Sequence, residues 1–466
     1  MQIPVVNGIY ADTSPDFRTS YPVNMVPVPK ATGLSQGYLR IADGVVSIGS
    51  GPGIMRGQIE WDGTIYAVMG TKFGSIDSAG TFTTIGDVGS GGTVSMSYGF
   101  TYLAITSGGR LYLYDKTTLA QNTDVHLGTA LCVVWVAGYY MTTDGENLVV
   151  TELNDPFAVS DLKYGSSEVS PDAVVSVINL RNEIYAVNRN TIEIFTNIGG
   201  DLFPFQRVNG SQVHKGACGT FCATIYNDAI AFLGSGVNEP PGVYMTANGS
   251  IKKISTREID AILTGYNEAE LAEAVVETRL DLGNDTLVIH LPDHTLCFDA
   301  AAGEAIGHPV WYSLSSSTTG TGPFTARHFV YCYDRWNVGS HVTSNIGRLD
   351  RSTHTHWGDP VMWQFGLPII YNEGRGGIIH ELELACLTGD APLGQSVSVW
   401  TEYSLNGVDW SQPRFASIGR QGDRSHRVRW FRQGAIRNWR VQRFSGSSDA
   451  GLSVARLEAR LEPLAW

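Results

Sequence analysis

A repeated strand–turn–strand unit is the feature that most constrains how this chain can fold. Each copy has an apolar strand, a short polar or glycine turn and a second apolar strand, as in Thr64–Met69, Gly70–Lys72 and Phe73–Asp77. Apolar runs bounded by such turn residues are typical of β-hairpins. The other copies are Phe100–Thr106 with Arg110–Asp115, Gly138–Thr142 with Asn147–Glu152, Glu183–Val187 with Thr191–Thr196, Ala229–Leu233 with Gly242–Met245, Thr286–Leu291 with Thr295–Asp299, and Phe329–Asp334 with Gly347–Asp350.

The spacing of the copies indicates a β-propeller. Corresponding strands lie from about 36 to about 57 residues apart, close to the roughly 40–50 residues of a propeller blade, although no WD or kelch signature is present. The 53 glycines and the many β-branched and aromatic residues favour short strands joined by tight turns. We therefore predict an all-β fold, with an irregular six- or seven-bladed β-propeller-like domain over residues 41–360.

One segment between the fifth and sixth copies is predicted to be helical. Capping-box spacing occurs twice there, and after the second instance Leu271, Val275 and Val276 would share one helical face. This predicts a short two-helix insertion at about 256–278, with capping pairs Ser255/Glu258 and Asn267/Glu270 and helices at about 257–263 and 268–278.

The two ends of the chain depart from the repeat rhythm. Residues 1–40 contain Pro4, Pro15, Pro22, Pro27 and Pro29 with no clear period, which predicts an extended N-terminal arm laid over other structure. After Pro360 longer alternating strands replace the short hairpins, so residues 361–466 are predicted to form a β-sandwich-like module with arginine-rich strands.

Composition excludes several classes of protein. The longest apolar run, Ala130–Met141, is too short to cross a bilayer, and the N-terminus lacks the pattern of a secretory signal, so we expect no membrane insertion. Six dispersed cysteines without paired spacing indicate reduced, buried thiols. The net charge of −13 is uneven, because residues 414–466 hold eleven arginines against four acidic residues. An acidic body with one basic end does not fit a protein that binds along nucleic acid.

Sequence motifs for catalysis or cofactor binding are absent, so we predict no enzyme activity, no cofactor and no catalytic residue. His354 and His356, between Asp350 and Asp359, are the one pair that strand alternation offers as metal ligands. A solvent-facing histidine pair is the favoured interpretation, because no third ligand is specified. Other groups are assigned to turns or packing: His290 and His294, Cys218 and Cys222, and the carboxylates Asp281, Asp285 and Asp299, which in a propeller could instead form a glycosidase pair.

Arginines dominate the segment from residue 414 to residue 443. In the run from Arg427 to Arg432, alternation places Arg427 and Arg429 on one strand face and Val428 and Trp430 on the other, so the aromatic face is predicted to be core. Arginine without lysine favours bidentate pairing with carboxylates of a protein partner, with nucleic-acid phosphate or plain solvation as alternatives. The predicted contact residues are Arg427, Arg429, Arg432, Arg437 and Arg440.

Several stretches, in order along nearly the whole chain, are similar to one known family. Val23–Pro29 reads Val-Asn-Met-Val-Pro-Val-Pro and is followed by Gly37–Arg40, while the block Thr256–Asp299 ends Leu-Val-Ile-His-Leu-Pro-Asp-His-Thr-Leu-Cys-Phe-Asp. On these stretches the chain resembles the packaged-DNA stabilisation proteins of short-tailed bacteriophages, which form the tail hub or nozzle. Further similar pieces are Gly92–Ser97, Thr191–Phe195, Val213–Gly216 and the arginine-rich end.

The resemblance implies a structural protein of the virion tail, synthesised in the host bacterial cytoplasm. It implies a homohexameric ring below the portal and its adaptor, through which genomic double-stranded DNA passes without sequence recognition. A tail needle or fibre would plug the ring, and tailspikes would dock on its flank. The alternatives are a propeller glycosidase or polysaccharide depolymerase, and a propeller scaffold outside any virus.

Overall fold

The structure is a computed structural model that describes residues 2–9, 21–30, 33–35, 37–200, 202–247, 249–371 and 376–464. Across these residues the chain forms 42 strands and three short helices, so the all-β prediction is confirmed. The strands make nine sheets. Seven of them belong to a propeller and two to a sandwich.

The N-terminal strands are divided between the two modules. The first three enter a sandwich sheet, whereas the fourth enters the last propeller sheet. Their bounds are β1 Gln2–Pro4, β2 Met25–Val28, β3 Tyr38–Ile41 and β4 Gly44–Ser50.

Blades 1 to 3 are antiparallel four-stranded sheets with simple up-and-down order. Their middle strands are apolar on both faces because each sheet is covered by the next blade on either side; Val68 and Leu113 are fully buried examples. The strands are β5 Met55–Trp61, β6 Thr64–Met69, β7 Lys72–Ile76 and β8 Phe82–Asp87; β9 Ser95–Tyr98, β10 Leu103–Ser107, β11 Arg110–Tyr114 and β12 Leu119–Gln121; β13 Val134–Val136, β14 Tyr139–Thr143, β15 Asn147–Val150 and β16 Tyr164–Ser166.

Blades 4 and 6 follow the same plan, and blade 5 has a fifth strand. Asn227 and Asp228 join two strands of blade 5 with φ of 48° and 57°, the left-handed pair that a two-residue hairpin turn requires. The strands are β17 Val174–Leu180, β18 Glu183–Asn188, β19 Ile192–Asn197 and β20 Phe205–Arg207; β21 Gly216–Ala217, β22 Ala223–Tyr226, β23 Ala229–Ser235, β24 Gly242–Ala247 and β25 Ser250–Lys253; β26 Val275–Asp281, β27 Asn284–His290, β28 Thr295–Asp299 and β29 Val310–Ser313.

Blade 7 closes the ring with a strand from the start of the chain. It consists of β30 Ala326–Cys332, β31 Arg335–Ser340 and β32 Asn345–Asp350, and β4 pairs antiparallel with β32. Two short strands, β33 Thr355–His356 and β34 Asp359–Pro360, extend this sheet beyond β4. The innermost strands β30 and β5 also contact each other, so the propeller has seven blades and no gap.

The sandwich packs two sheets around a separate apolar core. One sheet has the order β2-β3-β42-β37-β40, with β1 on β42, and the other has the order β35-β41-β38-β39, with β36 on β41. Leu382, Leu457, Phe365 and Phe444 are buried between them. The strands are β35 Trp363–Gly366, β36 Ile370–Tyr371, β37 Gly377–Leu387, β38 Ser398–Ser404, β39 Arg414–Ser417, β40 Val428–Ile436, β41 Trp439–Gly446 and β42 Ser453–Pro463.

The described part of the predicted N-terminal arm is not merely laid over other structure. The segments β1, β2 and β3 are paired into the sandwich sheet, with Leu39 opposite Val454 and Ile3 opposite Leu457. Pro27 is tolerated in β2 because this strand lies at the sheet edge. Pro15, by contrast, lies outside the described residues. The sandwich is therefore built from both ends of the chain, which the domain division at residues 40 and 361 did not anticipate.

The helical insertion is shorter than predicted. Helix α1 spans Arg257–Leu263 and α2 spans Glu268–Ala272, with a complete capping box between Asn267 and Glu270. The extension of the second helix to residue 278 is wrong, because Val275 and Val276 belong to β26, where both are buried. The first capping prediction is also wrong, since the N-cap is Thr256 and its side chain makes no capping bond. A third helix, α3 Ala300–Ile306, was missed.

One buried asparagine joins the propeller, the sandwich and the N-terminal segment. The Asn24 side chain donates to the carbonyls of Ser315 and Met362, at 2.8 and 2.7 Å, and accepts from the Ser315 N–H at 2.9 Å. The neighbouring Val23 exchanges backbone hydrogen bonds with Gln364 of β35. Residues 23 and 24 thus lie between blade 6 and the sandwich and form hydrogen bonds with backbone groups of both.

A second link between the modules is ionic. Asp43 is paired with Arg40 of the sandwich sheet and with Arg279 of blade 6, and Asp281 is paired with Arg40 and Arg351. Burial opposes ionisation of Asp43, but the two arginines outweigh it and hold the pKa of its carboxyl at about 2. The described helices are all too short to span a membrane.

Candidate functional site

The channel along the propeller axis is lined by the first strand of each blade or by residues next to it. Gly57, Val94, Cys132, Ser176, Phe221, Val276 and His328 represent blades 1 to 7 in that order. The cavity has a volume of about 270 Å³. At ~30 Å³ per water molecule in the liquid, this is room for a handful of waters and no more.

A buried acid–base cluster occupies one side of this channel. Glu277 of β26 accepts hydrogen bonds from the backbone N–H groups of His328 and Phe329, both at 2.9 Å. The Nε2 atom of His290 lies 3.3 Å from the same carboxylate. Burial opposes ionisation of Glu277, but the contacts with His290 and His328 outweigh it and hold its pKa at about 2.

The backbone at His328 is arranged for this contact. His328 has a φ of 61°, at a β-bulge between Arg327 and Val330 that turns its N–H toward the carboxylate. The carbonyl of His328 accepts from the side-chain amide of Gln58, a blade 1 residue. Burial lowers the pKa of His328 to about 4, so the imidazole is neutral at pH 7. The cluster therefore holds blades 6, 7 and 1 together where the ring closes.

His354 and His356 were predicted to be a solvent-facing pair, and this prediction is wrong. Both are buried: Nδ1 of His354 is 3.2 Å from the Ala42 carbonyl and Nδ1 of His356 is 2.9 Å from the Ser316 hydroxyl. Burial lowers the pKa of His356 to about 3. Strand β33 is covered by neighbouring structure, which the local sequence did not reveal. Among the described residues, no group of three potential ligands could hold a metal ion.

The carboxylates considered for a glycosidase pair each have a structural partner. Asp281 is paired with arginines, and Asp299 caps α3 by accepting from the Ala302 N–H at 2.8 Å. Asp285 lies 3.4 Å from the backbone N–H of Asn227, a turn residue. Burial raises the pKa of Asp285 and Asp299.

The arginine face predicted on β40 is partly neutralised inside the chain. Val428 and Trp430 are buried in the sandwich core, as the alternation predicted. Arg427 makes a two-point contact with Glu383, and Arg429 lies 3.6 Å from Glu381. These glutamates lie on β37, which pairs with β40. The alternation of glutamate with leucine in β37 was visible in the sequence, but the pairing of β37 with β40 was not.

Arg427, Arg432 and Arg437 are the exposed members of the predicted set. Arg432 and Arg437 form no ion pair within the described part of the chain. Arg432 has a φ of 56° and interrupts the regular alternation of β40, and its carbonyl accepts from Arg414 at 2.6 Å. Arg437 lies in the turn between β40 and β41. Their charges are available to a partner.

Arg440 does not belong to this surface, which corrects the prediction. Its side chain is fully buried between the sheets, 3.9 Å from the centre of the Tyr403 ring, and donates to Gln442 and to the Gln433 carbonyl. Burial lowers the pKa of its guanidinium to about 10. The strand alternation of β41 places residues 440, 442 and 444 on the inner face.

Together these features define a class: a seven-bladed propeller joined to a β-sandwich, with a narrow channel and no assembled catalytic or metal group among the described residues. Family models with the descriptions "Bacteriophage P22 Gp10, beta-propeller" and "Bacteriophage P22 Gp10, beta-sandwich" match residues 1–354 and 362–462. The chain therefore belongs to the bacteriophage P22 Gp10 family. The resemblance found in the sequence and the structural virion role are confirmed.

One curated relative matches the chain from end to end. It is the tail hub protein gp10 of Salmonella phage P22, 26% identical over 485 aligned positions that cover 99% of each chain. Solved structures show a looser likeness. The Neurospora crassa Pan2 WD40 domain has a TM-score of 0.43 at 13% identity, covering 66% of this chain and 94% of that one. The N-terminal domain of Nup159 has a TM-score of 0.42 at 9% identity, covering 66% and 95%.

Proposed function

We propose that this protein is the tail hub of a short-tailed bacteriophage, synthesised in the bacterial cytoplasm and incorporated into the virion tail. Six copies would form a ring below the portal and its adaptor, retain the packaged DNA and conduct it during ejection. The observation that carries the proposal is the match to the P22 tail hub protein over 99% of both chains. A tail needle or fibre and tailspikes are the expected further partners.

We place the proposed DNA conduit between copies of the chain, because the propeller channel is too small to hold a DNA duplex. The major groove of B-DNA alone is about 12 Å wide, and the propeller channel holds only about 270 Å³. The net charge of −13 supports a lumen that repels the phosphate backbone and lets DNA slide. The role is therefore structural, with no chemical step assigned to the channel.

Imaging of the purified chain together with the connector encoded beside its gene tests this proposal. We expect rings with six copies about one axis that bind one end of the connector. Mass measurement of the isolated complex gives an independent copy number. A chain that stays monomeric with the connector, or that forms a fibre tip, would contradict the hub assignment. Release of sugar from host polysaccharide by the purified chain would favour the enzyme alternative instead.

A further inference from the structure

The outer side of blade 3 carries an unusual concentration of negative charge. Residues 117–180 contain eight acidic residues against one lysine. Six of the carboxylates lie near the outer strand β16 or along the groove beside it. Asp172 accepts a hydrogen bond from the Asn190 N–H at 2.7 Å, and the surface is defined by the other five: Asp124, Asp144, Glu146, Asp161 and Glu168. Burial raises the pKa of the Tyr164 phenol, and the charges of Asp144, Asp124 and Asp161 raise it further. We call this surface the blade 3 acidic flank.

The acidic flank also exposes apolar side chains. Val125 is 86% exposed, Leu162 is 64% exposed and Val169 is 45% exposed, and each directly follows one of the flank carboxylates. None of the five flank carboxylates forms an ion pair within the described residues. The one lysine of this region, Lys163, is paired with Glu152 instead. Exposed apolar groups rimmed by uncompensated charge are typical of a protein-interaction surface.

One edge of the sandwich combines exposed apolar side chains with positive charge. Phe415 of β39 and Phe431 of β40 are 64% and 57% exposed. They lie beside Arg414 and Arg432, which are joined by a hydrogen bond between the two strands. Arg437 is exposed at the end of β40. These five residues form the sandwich basic edge. Exposed phenylalanine beside arginine matches the composition of interface centres.

We propose that the sandwich basic edge of one copy docks on the blade 3 acidic flank of a neighbouring copy. The proposal rests on the ring of the proposed function and identifies the two surfaces of its subunit contact. The surfaces are complementary in charge, and both expose apolar groups that a contact would remove from water. Because the two surfaces differ, the contact is head-to-tail. Such a contact generates a closed ring when the rotation from one subunit to the next adds up to a full turn.

A second copy fits the basic edge better than a DNA backbone does. Phosphate contacts would use the arginines but would leave the exposed parts of the Phe415 and Phe431 rings in water. The acidic flank, for its part, repels DNA and needs a positively charged protein surface. One chain carries both surfaces, so a single contact uses both.

A charge-swap experiment on the full-length chain tests the docking. The sandwich variant carries Arg432→Glu and Arg437→Glu, and the flank variant carries Glu146→Arg, Asp161→Arg and Glu168→Arg. All five side chains are exposed, so both variants are expected to fold. Each variant alone should require at least about tenfold more protein for half-assembly, because like charges would face each other. An equimolar mixture of the two variants should form rings in which the variants alternate, because every contact then joins opposite charges, and the five changes in one chain should also restore rings.

Matched charge reversals outside the two surfaces serve as controls. Glu304→Arg in α3 and Arg460→Glu in β42 also change exposed residues, and they should assemble as the unchanged chain does. Sedimentation velocity with and without the connector measures assembly, and circular dichroism checks the fold. Affinity for a short DNA duplex is measured in parallel for every variant.

The outcomes separate this contact from the proposed function. Normal assembly of either variant overturns the docking and leaves the hub assignment standing. Normal assembly with lost duplex affinity would identify the basic edge as a phosphate contact. An unchanged chain that remains monomeric with its connector overturns the ring itself, and with it the contact. Restored assembly in the charge-swapped chain would support the pairing of these two surfaces.

Discussion

The Asn24 side chain and the Ser315 backbone exchange two hydrogen bonds, with the carboxamide donating to the carbonyl and accepting from the N–H. Asn24 is also in the left-handed region, with a φ of 53°, which asparagine tolerates better than most residues. Among the described residues, no other side chain forms hydrogen bonds with the N–H and the carbonyl of Ser315 and also with the carbonyl of Met362. This residue is therefore a specific point of attachment between blade 6 and the start of the sandwich.

Replacing this asparagine should weaken the attachment. Asn24→Ala leaves three buried backbone groups without partners, which costs on the order of 3 kcal/mol. For a chain of this size that corresponds to a decrease in Tm of about 3 °C. Thermal melting followed by circular dichroism measures the change. A matched change at exposed Asn438, Asn438→Ala, should leave the Tm unaltered; equal Tm values for both variants would contradict the role of Asn24.

Closure of the propeller ring should depend on a glycine in β4. A Cβ at Gly49 would lie 2.1 Å from the carbonyl oxygen of Gly80, so Gly49→Val forces β4 of blade 7 away from the turn between β7 and β8 of blade 1. Overpacking of this kind costs about 1–3 kcal/mol or more. We expect earlier melting and faster proteolysis of blade 7. Gly92→Ala is the control, because a Cβ there meets nothing within 4 Å. Unchanged proteolysis of the Gly49 variant would show that the clash is relieved elsewhere.

Acid should destabilise the protein through its buried histidines. The pKa of His356 is about 3 in the folded chain and about 6.5 when exposed in the unfolded chain. Below pH 6.5 the unfolded state therefore binds a proton that the folded state excludes, and stability falls as the pH falls toward 3. His356→Asn should lose less Tm than the unchanged chain between pH 7 and pH 5. Parallel Tm curves for the two proteins would contradict this cause.

Protonation of Glu277 should cause a second decrease in stability at lower pH. Its pKa of about 2 lies below the ordinary value of 4.5, so its contribution is complete above pH 4.5 and is lost as the pH falls toward 2. Glu277→Gln should melt earlier than the unchanged chain at pH 7 and show a smaller further decrease below pH 4.5. Measuring Tm as a function of pH separates the pH range in which Glu277 is protonated from the range in which the histidines are protonated.

Arg440 should matter for folding and not for assembly. Arg440→Ala removes the stacking on Tyr403 and leaves the Gln433 carbonyl unpaired, so it should be destabilising by about 3 kcal/mol. Arg440→Met keeps the buried volume and removes the buried charge, so its Tm should be closer to that of the unchanged chain. Both variants, once folded, should assemble normally in sedimentation experiments. A loss of assembly without a change in Tm would restore Arg440 to the docking surface.

Local sequence periodicity was sufficient to predict the hairpins and the kind of fold. The sequence left six or seven blades open, and the structure shows seven because β4, at residues 44–50, pairs with residues 345–350 to complete the last blade. Nothing in either segment alone indicates a partner about 300 residues away. The same reason explains why strands in the N-terminal segment were not predicted, since β1 and β3 pair with the distant strand β42.

The candidate site was less predictable because it depends on side chains that the fold brings together. Strand alternation correctly separated the outward Arg427 and Arg429 from the buried Val428 and Trp430. It could not show that β37 would place Glu381 and Glu383 beside those arginines. The prediction that His356 faces solvent was wrong for a similar reason. The local pattern of a polar strand does not show that β4 and Ser316 will pack against it.

The division of the first 50 residues between the two modules has a consequence for biosynthesis. Strands β1 and β3 are synthesised long before their partner β42, and β4 is synthesised long before its partner β32. Neither module can complete its sheets until translation has passed these late strands. A chain that terminates early keeps unpaired strand edges and is exposed to proteolysis. We therefore expect chains that end before β42 to be degraded faster than the full-length chain.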